Sequence, residues 1–110
     1  MFIKMPHNDY SCRVLAIYYD RMQRIYMVYP EKGYNGISAV GEEDNGPLVT
    51  DPKVEDMVLV KSGIGEDIFL NQYIYDAGIY EGMVEHETEE MENFHELCRL
   101  NNIELFRYLD

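Results

Sequence analysis

The chain has 110 residues, of which 46% are hydrophobic and 27% are charged, a composition typical of a folded protein with one core. We therefore expect a single domain that spans residues 1–110. The net charge of −12 argues against direct binding of nucleic acid, because that binding depends on clustered basic side chains. The sequence has no run of about 20 apolar residues, the length needed to cross a bilayer.

The N-terminal residues and the cysteines predict the cellular compartment. Residues 1–10 lack the apolar segment and the small-residue cleavage site of a signal peptide. Cys12 and Cys98 lie far apart and have no CxxC spacing. Two isolated cysteines in such a chain are typical of reduced, buried thiols. We therefore expect a cytoplasmic protein that does not contact membranes.

The negative charge is concentrated in one part of the sequence. Residues 1–40 hold five basic and three acidic side chains, and residues 97–110 hold two of each. Residues 41–96 instead hold sixteen acidic side chains and two basic ones, so all of the excess charge lies there. Such a density of like charge opposes compaction, which indicates that the segregated negative charge has a function.

The first third of the chain has the pattern of β-strands. Residues 13–20 and 24–30 are rich in aromatic and β-branched side chains, and the short polar connection between them predicts a hairpin. Asn35-Gly36 is the dipeptide best suited to positive φ at both central positions of a turn. We expect a third strand to follow it at residues 37–40.

The middle of the chain changes from a strand pattern to a helical one. The Gly, Pro, Asn and Asp content of residues 41–52 predicts a loop, and the alternation over residues 53–61 predicts a fourth strand. Residues 66–78 place apolar side chains on one helical stripe, with Gly78 at the expected helix end. A hairpin over residues 73–80 is the alternative interpretation of the same segment.

The C-terminal part predicts a second helix and a closing strand. Residues 88–102 begin with Thr88 as a candidate N-cap and have Arg99 in the last turn. Residues 103–109 alternate like a strand. The expected fold is α+β, an antiparallel sheet of about four to five strands with two helices packed on one face. The apolar face of the second helix comprises Met91, Phe94, Leu97 and Cys98.

Metal sites are weakly indicated. A zinc site of the H-E-x-x-H type needs two histidines one helical turn apart, and neither His86 nor His95 has such a partner. His95 and Cys98 are three residues apart, but two ligands do not define a zinc site. A calcium loop centred on Gly46 would need an acidic residue at both ends, and it has neither. We therefore expect no bound metal.

Catalysis and nucleotide binding are also disfavoured. The glycine loop at residues 63–65 is followed by Glu66 and Asp67, which would repel a phosphate at the start of a helix. The sequence has neither a G-x-S-x-G nucleophile motif nor the Gly-Lys-Ser/Thr ending of a P-loop. We expect no cofactor and no enzymatic activity.

The acidic segment itself predicts a protein partner. Residues 81–96 contain seven glutamates and no basic residue. A surface dense in carboxylates can occupy a groove that evolved for nucleic acid, so the expected partner is a basic protein such as a nuclease, a toxin or a transcription component. Phage anti-defence inhibitors and toxin-neutralising immunity proteins act in this way. The candidate contacts are Glu85, Glu87, Glu89, Glu90, Glu92 and Glu96, with the loop acids Glu42, Glu43 and Asp44 as a second cluster.

Three alternatives remain open at this stage. The ten tyrosines of the chain could line a pocket for a small molecule or a nucleotide signal. The protein could instead be a structural or assembly protein that forms a homo-oligomer. Finally, a run of like charge is also typical of a surface whose purpose is solubility.

Overall fold

The computed structural model describes residues 1–42, 47–61 and 67–108. Within these ranges the chain is α+β, as expected, and contains an antiparallel sheet of eight strands together with three helices. In chain order the elements are β1 (Phe2–Lys4), β2 (Tyr10–Asp20), β3 (Gln23–Val28), β4 (Ser38–Gly41), β5 (Leu48–Asp51), β6 (Met57–Val60), β7 (Ile68–Asn71), α1 (Gln72–Ala77), α2 (Tyr80–Val84), α3 (Thr88–Asn101) and β8 (Phe106–Tyr108).

The long strand β2 is the centre of the sheet. Its first part pairs with β1 along one edge and with β8 along the other, so that Cys12 lies between Ile3 and Phe106. Its second part pairs in the same way with β3 and β7. The remaining strands extend the sheet outward, since β4 pairs with β3, β5 with β1, and β6 with β7. Every part of the sheet is therefore connected through β2.

A β-bulge divides the side chains of β2 between two cores. The register of β2 against β3 shifts between Val14 and Ala16. Because of this extra residue, Val14 and Ile17 face the same side of the sheet although they are three positions apart. The helix-side core comprises Leu15, Ala16, Ile25, Met27, Tyr29, Ile37, Leu70, Ile74, Ile79, Met83, Met91, Phe94 and Cys98. The second core, on the opposite face, comprises Ile3, Cys12, Val14, Ile17, Tyr26 and Val28.

Helix α1 begins and ends at residues whose side chain or backbone satisfies free peptide groups. The Asn71 side chain accepts hydrogen bonds from the backbone N–H groups of Tyr73 and Ile74, at 3.0 and 3.2 Å. Gly78 follows the helix with a φ of 68°, a left-handed conformation that glycine adopts without strain, and its N–H donates to the carbonyls of Ile74 and Tyr75. The predicted helix end at Gly78 is confirmed.

The numbers of strands and helices differ from the sequence expectation. β1, β5 and β7 were not predicted, and neither was α2. The helix predicted over 66–78 is wrong in its first half, because Ile68–Asn71 pairs with β2 and β6 as a strand. The hairpin alternative for residues 73–80 is also wrong, since α1 and the start of α2 lie there. Short apolar runs fit either period, and pairing with β2 decides the outcome here.

The turns give one confirmation and one correction. The hairpin predicted for residues 13–30 is confirmed, and its turn places Arg21 and Met22 at φ values of 52° and 67°. These are the positive angles that a two-residue hairpin turn requires, although neither residue is glycine. Asn35-Gly36 does not form such a turn, because among these two residues only Gly36 has a positive φ and the dipeptide lies within a longer connection from β3 to β4.

Helix α3 matches its prediction closely. It spans Thr88–Asn101, buries Met91, Phe94 and Cys98, and carries Arg99 in its last turn. The predicted capping role of Thr88 is wrong, because Thr88 is the first helical residue and Glu87 occupies the N-cap position without a capping hydrogen bond from its side chain. No helix in the described ranges is long and apolar enough to span a membrane.

Loss of the Asn71 cap should destabilise the fold. Asn71 is 3% exposed, so Asn71→Ala leaves two helix N–H groups without their acceptor, and the hydrogen bond from Ile74 is buried. We expect the free energy of unfolding to fall by about 1–2 kcal/mol, measured by urea denaturation.

Asn93→Ala is the matched control, because Asn93 lies on the exposed side of α3. Its effect should stay within about 0.5 kcal/mol. Equal losses for the two variants would show that the Asn71 cap does not stabilise α1.

Candidate functional site

The acidic segment, residues 81–96, lies in α2, in the turn that follows it and in the first part of α3. Apolar side chains anchor both helices, because Met83 of α2 and Phe94 of α3 are buried in the helix-side core. On α3 the buried residues recur with helical spacing, so the intervening polar positions point away from the sheet. The glutamates of this segment are therefore held on the outer surface of the helical layer.

The α2–α3 turn is fixed by contacts with the loop that precedes β4. His86 adopts a φ of 61°, and a Cβ on Gly36 would lie only 2.5 Å from its imidazole Cδ2. The Asn35 side-chain amide donates a hydrogen bond of 3.1 Å to the His86 carbonyl, and the Tyr34 ring contacts the imidazole edge-on at 5.6 Å between centroids. These contacts hold the acidic turn against the body of the protein.

Glu89, Glu92 and Glu96 lie on the exposed outer face of α3, as their spacing predicts. Glu96 differs from the other two, because the Arg99 guanidinium hydrogen-bonds its carboxylate, with Nε at 3.0 Å from Oε2. This hydrogen bond lowers the pKa of Glu96 and compensates part of its charge. Glu89 and Glu92 form no ion pair within the described residues, so they are the stronger candidates for contact with a partner.

Glu85, Glu87 and Glu90 form a second group of carboxylates at the start of α3. A hydrogen bond with Glu90 and the negative charge of Glu90 raise the pKa of Glu87, and Glu85 adds to the effect. The Glu90 side chain lies across Gly82 of α2, where any larger residue would collide with it. The structure therefore brings three like charges together at one place, which stores repulsion that a cation could relieve.

Of the second predicted cluster, only Glu42 lies within the described residues. The Glu42 carboxylate accepts a hydrogen bond of 3.1 Å from the Arg24 backbone N–H, at the end of the β3–β4 ladder. The Glu42 N–H donates in return to the Arg24 carbonyl at 2.9 Å. Glu43 and Asp44 lie outside the described residues. Glu42 thus extends the pairing of β3 and β4, and among the described residues it forms no salt bridge with α2 or α3.

Salt bridges are more frequent among the described acids elsewhere in the chain, where four of ten are paired, than in the acidic segment, where one of seven is paired. Five salt bridges occur among the described residues, and four of them lie outside α3. Those four join Lys53 to Glu55, Lys61 to Asp67, and Arg107 to both Asp51 and Glu104, at 2.8 to 3.0 Å. The side chains that form no salt bridge within the described ranges include Glu81, Glu85, Glu87, Glu89, Glu90 and Glu92.

A groove of about 410 Å³ borders the acidic segment, and the sequence did not indicate it. The sheet contributes one side of the groove, and α2 with its C-cap residue Glu85 contributes the other. Burial raises the pKa of Tyr80 to about 12, and the electrostatic interaction with Tyr18 makes a smaller contribution. The Tyr80 hydroxyl therefore stays neutral at physiological pH. We call this feature the tyrosine–glutamate groove; it is lined by Tyr18, Met27, Tyr80, Glu81, Val84 and Glu85.

An apolar cavity of about 360 Å³ lies on the face of the sheet opposite the helices. Its lining includes Ile17 of the second core and Phe69, which are direct partners across β2 and β7 and so face the same side. Tyr19 is 47% exposed and Phe69 is 45% exposed, which is high for large aromatic side chains on a sheet. This apolar sheet face is lined by Met1, Ile17, Tyr19, Arg24, Val54 and Phe69.

The residues considered for metal binding or catalysis are packed against other side chains. Burial raises the pKa of the Cys98 thiol to about 12 and that of the Cys12 thiol to about 11, which keeps both protonated. The His95 ring packs against Tyr29 and Phe94, and burial lowers its pKa. No group of three or more His, Cys, Asp or Glu side chains is placed to hold a metal ion in the part of the chain that the structure describes.

The raised pKa of Glu87 can be tested by removing its neighbour's charge. We expect the Glu87 carboxyl to titrate above the usual range of glutamate in carbon-13 NMR spectra, and Glu90→Gln to lower its pKa. Since the folded-state pKa lies above the unfolded one, this group adds stability as the pH falls through it. That gain should shrink in Glu90→Gln.

Glu96→Gln is the control for this titration. It also removes one negative charge, but it lies about 13 Å from Glu87 along the helix axis, beyond the Debye length at physiological salt. An unchanged Glu87 titration in Glu90→Gln, or equal shifts in both variants, would contradict the proposed contact.

Comparisons of the chain with protein-family profiles, with curated proteins and with solved structures find no match.

Proposed function

We propose that the protein is a small acidic inhibitor that binds one basic partner protein and occupies its nucleic-acid-binding surface. The observation that supports this proposal is the concentration of glutamates in residues 81–96, where only Glu96 of seven acids forms a salt bridge, whereas four of the ten described acids elsewhere do. Like charges spaced along a helix cost a few tenths of a kcal/mol per pair, so helix stability does not explain them.

The spacing of the charges suits a surface that normally faces a phosphate backbone. Successive helical residues rise 1.5 Å, which separates Glu89, Glu92 and Glu96 by about 4.5 and 6 Å along the axis. A nucleic-acid strand presents one charge per about 3.4 Å of axis. A rigid helix with this charge density can displace counterions from the partner and steer its approach in the same way as the natural ligand.

Charge alone would give a weak complex. Exposed ion pairs contribute about 0.2–1 kcal/mol each, so six of them contribute about 1–6 kcal/mol. A micromolar dissociation constant corresponds to about 8 kcal/mol. The acidic face therefore accounts for encounter and orientation, and a buried contact must supply the remaining affinity.

The setting follows from the same reasoning. The partner is a nuclease, a toxin or a component of the transcription machinery in the cytoplasm, and the protein acts as a phage anti-defence protein or an immunity protein does. Inhibition by occupation is stoichiometric and uses neither a cofactor nor catalysis. A nucleotide ligand is a weaker proposal, because Glu81 and Glu85 in the tyrosine–glutamate groove would repel its phosphates.

Reversal of two charges on α3 tests the proposal. Tagged protein should capture a basic protein from host-cell lysate at low salt and release it steeply as salt rises. Glu89→Lys combined with Glu92→Lys should reduce capture by at least about tenfold, because both side chains are exposed on the proposed interface. Quantitative mass spectrometry of the eluates measures the effect.

The control variant combines Asp9→Lys and Glu31→Lys. These exposed acids lie near Tyr10, outside α2 and α3, and the double variant changes the net charge by the same amount. It should retain capture. If both double variants bind alike, or if capture does not depend on salt, the acidic face is not the interface.

The apolar sheet face favours self-association as a second candidate function. Exposed Tyr19 and Phe69 form an apolar surface with Arg24, whose guanidinium lies 5.7 Å from the Tyr19 ring centroid. This surface lies on the side of the sheet away from the helices. Two copies that met here would bury aromatic side chains and keep their acidic helices far apart, which reduces repulsion.

Substitution of Phe69 tests this second candidate. The mass measured by sedimentation should rise with protein concentration in the unmodified chain and remain monomeric in Phe69→Asn. Leu100→Asn is the control, since Leu100 is 65% exposed but lies on α3. A monomeric mass for the unmodified chain at all concentrations would refute self-association.

A further inference from the structure

The tyrosine–glutamate groove combines two features that do not depend on each other. Its shape comes from the fold, because Tyr18 of β2 and Met27 of β3 form one wall and α2 forms the other. Its charge comes from Glu81 in the first turn of α2 and from Glu85, the residue that follows the last turn, and both line the groove. The result is a concave surface with aromatic and aliphatic walls and a negatively charged rim.

This chemistry matches a guanidinium group better than any other common side chain. The guanidinium of arginine is planar and weakly hydrated, stacks on aromatic rings and donates two parallel hydrogen bonds to a carboxylate. The half-buried rings of Tyr18 and Tyr80 provide surfaces for stacking, and the two glutamates provide the acceptors. A lysine ammonium is more strongly hydrated and cannot stack, so it should bind less well. An anion would be repelled.

The volume is consistent with a side chain as the occupant. At about 410 Å³ the groove lies near the lower end of the range for small-ligand pockets. Met27 is 5% exposed and gives the groove an apolar floor that can cover the aliphatic stem of the side chain. The groove also adjoins the group formed by Glu85, Glu87 and Glu90, so an arginine bound there would reduce like-charge repulsion at the start of α3.

We infer that the tyrosine–glutamate groove binds one arginine side chain that projects from the basic surface of the partner. This inference rests on the proposed function and specifies the buried contact that the acidic face lacks. An arginine anchored between aromatic walls and carboxylates is a common type of interface hot spot. The acidic face of α3 would then guide the partner, and the groove would retain it.

The test uses a probe that carries the guanidinium alone. N-acetyl-arginine amide is titrated into the nitrogen-15-labelled full chain, and chemical shifts are followed for Tyr80, Glu81, Val84 and Glu85. We expect saturable shifts confined to these residues and their neighbours. N-acetyl-lysine amide should bind at least about threefold more weakly, and the neutral isostere N-acetyl-citrulline amide should cause no saturable shift.

Two double variants with the same change in net charge distinguish binding in the groove from attraction by the overall negative charge of the protein. Glu81→Gln with Glu85→Gln should weaken binding of the arginine probe at least about tenfold. Glu89→Gln with Glu92→Gln should change it less than about twofold, because those side chains lie on the outer face of α3. Tyr80→Leu should also weaken binding, and the dispersion of its amide spectrum reports whether it remains folded.

The outcomes distinguish this inference from the proposed function. Equal binding of the arginine and lysine probes, or equal losses in both double variants, would overturn the groove as an arginine site. Salt-dependent capture by the face of α3 would still stand in that case. Conversely, specific arginine binding in the groove supports the inference even if the charge reversals on α3 leave capture unchanged. In that case only the assignment of the interface to the outer face of α3 would be wrong.

Discussion

β2 is hydrogen-bonded along both edges and is buried on both faces over most of its length, and this arrangement determines where the other layers lie. Because of the bulge near Ala16, Leu15 points toward the helices, whereas Val14 and Ile17 point toward the opposite side of the sheet. A strand without the extra residue would move one half of its apolar side chains to the wrong face. The separation into a helix-covered face and an open apolar face therefore begins in this strand.

Apolar packing allows the helical layer to tolerate its charge. Met83 is fully buried and Phe94 is 1% exposed, and each such side chain contributes about 2–3 kcal/mol by burial. Like-charge neighbours on a helix cost only a few tenths of a kcal/mol per pair. Several unpaired glutamates can thus be held on α2 and α3 without unfolding them, and the net repulsion is available to favour a cationic partner.

The parts of the fold that followed from sequence are those with one sustained period. α3 keeps Met91, Phe94 and Cys98 in helical register over fourteen residues, so local pattern was sufficient. The change from β7 to α1 occurs at Asn71. It could not be predicted from the local pattern, because it depends on the pairing of β7 with β2 and on the cap that the Asn71 side chain provides. The acidic residues could be found by counting charge. The tyrosine–glutamate groove could not, because Tyr18 and Tyr80 are distant in sequence and meet only through the sheet.

The two opposite faces also make the two candidate functions compatible. Association through the apolar sheet face would leave both acidic helical layers directed outward, since α2 and α3 pack on the other side of β2. Such a dimer would present two identical acidic surfaces in a fixed relation. Against a partner that is itself dimeric, the second contact becomes intramolecular, and avidity rises without any new interaction. The symmetry of the partner would then determine whether self-association strengthens the proposed inhibition or only increases the size of the complex.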